Sequence, residues 1–174
     1  NQELPQRGAA AATTVPGAVD AWWQAHQRLG KLPWAALLEP AIGLAQGGYE
    51  LSPSQCRWTQ RDWELLTQDL GAAAVFSPAA QPTGQPIKNP ALAEVLQAVA
   101  AGGTDTFYRG AIARAIVDYV APQGSPLSLE DFATHQSSWV DPISTSYRDH
   151  RIYQLPPSTQ GLSVLQILNL IEPY

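Results

Sequence analysis

The residues of this chain best equipped for chemistry lie near its end, in Leu155-Pro-Pro-Ser-Thr-Gln-Gly161. Ser158 and Thr159 carry hydroxyls, each with one donor and two acceptor lone pairs, and Gln160 carries a carboxamide that both donates and accepts. Gly161 has no Cβ, so the backbone there can approach another group closely. Such a set can hold a polar substrate or cap a helix. Capping is the preferred use of Ser158 and Thr159, and a substrate-facing role is the alternative. Nucleophilic catalysis asks for more: a base beside the hydroxyl and a third group to orient it. Asp149 and His150 have suitable side chains, but they are adjacent at a turn, where neighbouring side chains point apart. No triad is assigned to them.

Other reactive types give weaker signals. Cys56 is the single cysteine, which excludes an intrachain disulfide and leaves the redox compartment open. It reads as a small buried hydrophobe on a helix face, and neither Arg57 nor Arg61 shares that face at the i+4 spacing. His26, His135 and His150 are scattered without ligand spacing, so no metal site is assigned. His26 is expected to pack beside Trp22 or Trp23, and those tryptophans to belong to the core. Arg109 and Arg114 could bind an anionic group, but an ion pair or a solvated helix face is preferred. Asn1 has no hydroxyl or thiol and cannot be an N-terminal nucleophile. The Thr13-Thr14 pair precedes Val15-Pro-Gly17 and receives no catalytic role. No cofactor is implied.

The elements that must position the corner follow from periodicity and breakers. Tyr147 to Glu172 reads as a strand, a rigid Pro156-Pro157 turn, a polar loop and an apolar helix. In that helix Leu162, Leu165, Ile167, Leu168 and Ile171 leave little polar surface, which predicts a mostly buried element. Pro142–Tyr147 and His150–Leu155 alternate about Arg148-Asp149 and predict a hairpin. Upstream, Ala18–Leu29 has helical spacing and ends at Gly30, the expected C′ residue. Pro33 opens a second helix, and Pro40 divides it into Trp34–Leu38 and Pro40–Gln46. Ser52-Pro53 starts a helix carrying Cys56, Trp63 and Leu66 on one face. Gly71 to Lys88 reads as a long irregular connection. Asn89-Pro90 caps a helix over Ala91–Ala101, ended by Gly102-Gly103. Thr104–Val120 is a further helix with a kink at Gly110, and Ser128 with Asp131 forms a capping box. Residues 1–14 are expected to be a disordered or extended lead-in, with one domain over 15–174. The fold class is α+β, mainly helical, with a C-terminal β-hairpin.

Composition narrows the function classes. A length of 174 residues is enough to bury a core. Charged residues make up 14% of the chain, against a usual share of about 25%. A surface so poor in charge suggests that more protein covers part of it and that the chain is a piece of something larger. The missing N-terminal methionine agrees with a processed or excised chain. Net charge is −5 and no basic cluster with interleaved aromatics occurs, so nucleic acid is not an expected partner. No apolar run is long enough for a membrane span, and these residues contain no secretory h-region.

Taken in order, the chain carries Val15-Pro-Gly-Ala-Val-Asp-Ala-Trp22, Leu29-Gly-Lys-Leu-Pro-Trp34, Glu39-Pro-Ala-Ile-Gly-Leu-Ala45 and Gly48-Tyr-Glu-Leu-Ser52. The series continues through Asn89-Pro-Ala-Leu-Ala93, Phe107-Tyr-Arg-Gly110, Leu129-Glu-Asp-Phe132, Pro142-Ile143, Tyr147-Arg148 and Pro156-Pro-Ser158. These segments, in this order, resemble the large subunit of the γ-glutamyltransferase (γ-glutamyltranspeptidase) family. Each motif is weak alone, but the ordered set covers Val15 to Glu172.

The resemblance implies an αββα N-terminal nucleophile hydrolase, made as a self-cleaving precursor. A freed N-terminal threonine then attacks a γ-glutamyl amide, and water or an amine resolves the acyl-enzyme. It also implies that the nucleophile, the carboxylate-binding arginine and the oxyanion-hole residues lie outside these residues, so no catalytic residue is assigned here. Ser158, Thr159, Gln160 and Gly161 would form a substrate-proximal loop. Expected partners are the rest of the large subunit, the small subunit, and a small γ-glutamyl or other amide substrate. Self-association is expected where the missing partners leave apolar surface bare. Typical members are periplasmic or extracellular, although a cytoplasmic location stays open.

Typical γ-glutamyltransferases have Pro-Pro-Pro-Ser-Ser-Gly-Gly at this loop. The expected reaction is cleavage of γ-glutamyl amide bonds, in glutathione or related compounds; the Gln160-Gly161 ending resembles the acylase-like branch, which makes a related acylase or amidohydrolase with a substrate other than glutathione the alternative. A stand-alone binding module is the alternative from a different class.

Overall fold

A computed structural model describes residues 5, 8–11, 13–80 and 85–174, with the side chains of 78–80 left aside. It contains two compact units, Asn1–Gln136 and Ser137–Tyr174.

The first unit is helical: α1 (Ala18–Leu29), α2 (Trp34–Gly47), α3 (Pro53–Arg61), α4 (Trp63–Leu66), α5 (Leu70–Ala80), α6 (Pro90–Tyr108), α7 (Ala111–Val120) and α8 (Leu129–Thr134). Its core joins Val19 of α1, Leu38 of α2, Val99, Phe107 and Tyr108 of α6, Ala113 of α7 and Phe132 of α8. The Trp34 indole N–H ties α2 to α6 by donating to the Val99 carbonyl at 2.9 Å. The Tyr108 hydroxyl donates to Pro16 O at 2.7 Å and accepts from Asp20 N–H at 3.1 Å, fastening the end of α6 to the start of α1. Burial raises the Tyr108 phenol above its ordinary range.

Caps legible in the sequence set several boundaries. Ser52 accepts from Gln55 N–H, and Asn89 accepts from Leu92 N–H. In α8 the Ser128 hydroxyl accepts from Asp131 N–H, while the Asp131 carboxylate accepts from Ser128 N–H. Hydrogen bonds from the Ser128 hydroxyl and then its backbone N–H hold the Asp131 carboxyl below its usual range.

Several features differ from the sequence reading. Helix α2 runs unbroken through Pro40. Pro40 removes one intrahelical donor, and packing on α6 keeps the helix continuous, as tertiary packing supplies most helical stability in proteins. Asp62 leaves helical geometry (φ −98°, ψ 14°), so Cys56 and Trp63 fall on separate helices. Gly71 to Lys88 is not one irregular stretch, because α5 occupies its first part. The Asp69 carboxylate accepts from Ala72 N–H at 2.7 Å, and the alanines that follow favour helix. Residues 81–84 of that expected loop lie outside the described residues. The backbone leaves helical geometry at Gly103, near the expected stop, and Gly110 separates α6 from α7 rather than kinking one helix. Gly30 has φ −68°, so it is no left-handed C′ residue. Its role is space: a Cβ there would stand 2.3 Å from the His26 ring.

Of the expected lead-in, residues 1–4, 6, 7 and 12 lie outside the described residues. Thr13 pairs its hydroxyl with Ser125 at 3.3 Å.

In the second unit, β1 (Ile143–Tyr147) and β2 (His150–Gln154) pair antiparallel, with Ile143 opposite Gln154 and Tyr147 opposite His150. Arg148 and Asp149 both have positive φ, 44° and 66°, as a tight primed hairpin turn requires. Helix α9 (Gly161–Ile171) packs on this hairpin. The Glu172 carboxylate accepts from Arg148 N–H at 3.1 and 3.2 Å, and Thr145 donates to the Asn169 side chain. These bonds hold the helix along the strands.

The expectation that α9 is mostly buried is corrected. Only Gly161 and Leu165 are buried, whereas Leu162, Val164, Ile167, Leu170 and Ile171 are exposed. A two-stranded hairpin covers one side of a helix that is apolar almost all round.

Candidate functional site

The corner Leu155–Gly161 joins β2 to α9. Pro156 and Pro157 cannot continue a ladder, so the strand ends there. Thr159 N–H donates to Pro156 O at 3.3 Å and closes a turn. The Thr159 hydroxyl lies 3.0 Å from Leu155 O and 3.2 Å from Pro156 O, both acceptors for its proton. Its oxygen accepts from Gly161 N–H at 3.3 Å. One hydroxyl therefore joins the last residue of the strand side to the first residue of the helix.

Gly161 is buried, and a Cβ on it would stand 2.4 Å from Leu155 O and 2.7 Å from Gln154 Cβ. The close approach expected at this glycine is thus made to the incoming strand. Ser158, Thr159 and Gln160 are exposed.

The corner brings Ser158, Thr159, Gln160 and Gly161 together. Neither Ser158 nor Thr159 is the N-cap residue of α9, although Thr159 satisfies one of its first N–H groups. The N-cap is Gln160, which makes no side-chain cap bond. Thr159 bonds one helical N–H, and Ser158 has no side-chain hydrogen bond among the described residues. The hydroxyl bridge of Thr159 was not read from the sequence. A Thr two residues before a glycine at a helix start was its only signal, and turns of that kind are common.

His150 and Asp149 sit at the other end of β2. His150 to Leu155 is a step of five residues along β2 and its end, roughly 17 Å at about 3.4 Å per residue. His150 Nδ1 is 2.8 Å from Arg148 O, so its ring is engaged at the turn, away from Ser158.

In the first unit, His26 packs beside Trp23 as expected, with centroids 6.0 Å apart, and also beside Trp34 at 5.4 Å. Trp22 is 49% exposed and is no core residue. Cys56 is half-buried rather than buried, because α3 ends before the face it would share with Trp63. Arg109 pairs with Asp105 and donates to Ala133 O at 3.0 Å, the ion-pair use expected of it. A polar cleft of about 310 Å³ is lined by Asp20, Gln24, Tyr108, Arg109 and His135 among others. Tyr108 and Arg109 are already committed to partners within the fold. Among the described residues no three His, Cys, Asp or Glu side chains form a metal-binding group, and no helix is long and apolar enough to cross a membrane.

Comparison with known proteins gives this geometry its setting. The family profile described as γ-glutamyltranspeptidase matches residues 1–174. The chain is 38% identical over 173 residues to the glutathione hydrolase-like YwrD proenzyme of Bacillus subtilis, covering 98% of this chain and 33% of that protein. It therefore spans about a third of this relative's length. Among solved structures it resembles cephalosporin acylase from Bacillus halodurans, with TM-score 0.88, 33% identity, and coverage of 99% of this chain and 34% of the other. It also resembles γ-glutamyltranspeptidase from Pseudomonas nitroreducens complexed with L-DON, with TM-score 0.82, 33% identity, and coverage of 94% and 48%. With the family profile matching residues 1–174 and the fold shared with solved members, the protein belongs to the γ-glutamyltranspeptidase family of N-terminal nucleophile hydrolases.

Proposed function

We propose that these residues form a large-subunit segment of an amide-cleaving enzyme, with Ser158, Thr159, Gln160 and Gly161 beside the substrate and the nucleophile supplied from outside them. The observation that carries this reading is the corner itself. It is polar and exposed at Ser158 and Gln160, yet it is fixed to a strand and a helix through Thr159 and Gly161. Function is often carried by a loop held on a rigid base.

In this reading a hydroxyl nucleophile attacks a γ-glutamyl amide carbon. The C–N bond breaks, and the leaving amine takes a proton from the group that activated the hydroxyl. Water or an acceptor amine then opens the ester. The partners are the rest of the large subunit and the small subunit. The proenzyme relative of Bacillus subtilis supports such an arrangement.

A second reading has specific support. Gln160 places a carboxamide where typical γ-glutamyltransferases have glycine, and the chain also resembles an acylase structure. The parent enzyme would then be an acylase or amidohydrolase with a substrate other than glutathione.

Assay of the parent protein and of these 174 residues alone with γ-glutamyl-p-nitroanilide and with an acyl amide tests the reading. The parent is expected to release amine from at least one of them, and the 174 residues from neither. Turnover by the 174 residues alone, or a matured parent inert toward both amides, overturns it.

A further inference from the structure

We propose that Thr159 is a positioning residue that sets where the Gln160 carboxamide stands, and thereby the discrimination among amide substrates. The proposal rests on the substrate-proximal reading of the corner. Its basis is the division of labour among three adjacent polar residues. The hydroxyl of Thr159 is spent inside the corner, within 3.0 Å of Leu155 O, 3.2 Å of Pro156 O and 3.3 Å of Gly161 N. Ser158 and Gln160 flank it, and both are exposed.

Leu155 O is the pivot. The Thr159 hydroxyl reaches it, and it is also the atom a Cβ on Gly161 would meet at 2.4 Å. Strand end and helix start are therefore pressed together, and one hydroxyl joins them. Gln160 lies between the donor of that bridge and Gly161, as the N-cap of α9. Its own side chain makes no cap bond, so its carboxamide keeps its hydrogen-bonding capacity for a ligand. Where that carboxamide stands then depends on the backbone at Thr159 and Gly161.

The test is a double-mutant cycle in the full-length parent enzyme, read as the ratio of kcat/KM for a γ-glutamyl amide to that for an acyl amide. Gln160→Ala is expected to change the ratio. Thr159→Val, which keeps the shape and removes the hydroxyl, is expected to change it about tenfold, the equivalent of roughly one hydrogen bond. Thr159→Ser is expected to restore it. In the Gln160→Ala background Thr159→Val should leave the ratio unmoved. If the valine variant does not mature, Thr159→Ala takes its place in the cycle.

Equal shifts of the ratio by Thr159→Val in both backgrounds overturn the positioning role and leave the substrate-proximal reading standing. So does a lowered melting temperature with an unchanged ratio. A Gln160→Ala enzyme with unchanged selectivity sinks both.

Discussion

Phe132 in α8 has no exposed surface, whereas Leu170 in α9 keeps 72% of its own. Both are large apolar residues on short helices, and the difference lies in what each helix packs against. In the first unit Phe132 belongs to a core that also takes residues from α1, α2, α6 and α7. In the second, α9 has a two-stranded hairpin on one side, and Leu162, Ile167 and Ile171 remain exposed with Leu170. The first unit completes a core from its own residues. The second is ordered by hydrogen bonds at its ends: Glu172 to Arg148 at the turn, and Thr159 to Leu155 and Gly161 at the corner. The proposed active-site corner therefore belongs to the unit that depends least on buried area.

The sharpest way to break this comparison is a pair of substitutions. Phe132→Ala should cost about 3–5 kcal/mol, because it removes a ring enclosed on all sides. Leu170→Gln should stay within about 0.5 kcal/mol, as exposed positions do. Urea unfolding of both variants measures the difference, and similar losses would erase the distinction between the units. Next in size is Gly161→Ala. The added carbon meets Leu155 O at 2.4 Å, and backbone cannot step aside as a flexible side chain can. A loss of about 1–3 kcal/mol is expected, with amide shifts confined to the second unit in NMR spectra. A silent Gly161→Ala would mean that the corner is loose.

Smaller still is Asn89→Ala, which deletes the cap on α6 and should cost about 1 kcal/mol in the same unfolding assay. The smallest effect is on acid stability. The Asp131 carboxyl is lower in the folded chain than in the unfolded one, first because of the Ser128 hydroxyl and then its backbone N–H. A depressed carboxyl stabilises the fold above the ordinary aspartate range, and that contribution is lost as pH falls through the lower folded value. In Ser128→Ala the Asp131 titration followed by NMR should move upward toward the ordinary range. An unmoved titration would contradict the assigned cause.

The same contrast explains what the sequence could convey. Local chemistry was legible: the Ser128–Asp131 capping box, the Asn89-Pro90 helix start, and the Arg148-Asp149 turn each depend on residues within a few positions. What failed depended on distant neighbours. Pro40 predicts a break because its missing N–H is local, whereas the support from α6 is not. Helix α5 stays hidden in a composition reading, because the glycines and prolines of Gly71 to Lys88 signal a loop and the Asp69 bond to Ala72 N–H shows only in the structure. The burial of α9 was overestimated because an apolar pattern records what a helix could bury, not what is there to cover it. At the corner, the residue types named Ser158, Thr159, Gln160 and Gly161 as a group. Their division into a bridging hydroxyl, a close-packed glycine and two outward polar chains depends on where the fold places Leu155 O.

The central claim is that this chain supports a catalytic site without supplying its nucleophile. Treating the matured parent protein with an electrophilic γ-glutamyl or acyl analogue, and locating the adduct by peptide mass spectrometry, tests it most directly. The account predicts one adduct, outside these 174 residues, on the residue freed by self-cleavage. An adduct on Ser158 or Thr159 would contradict it.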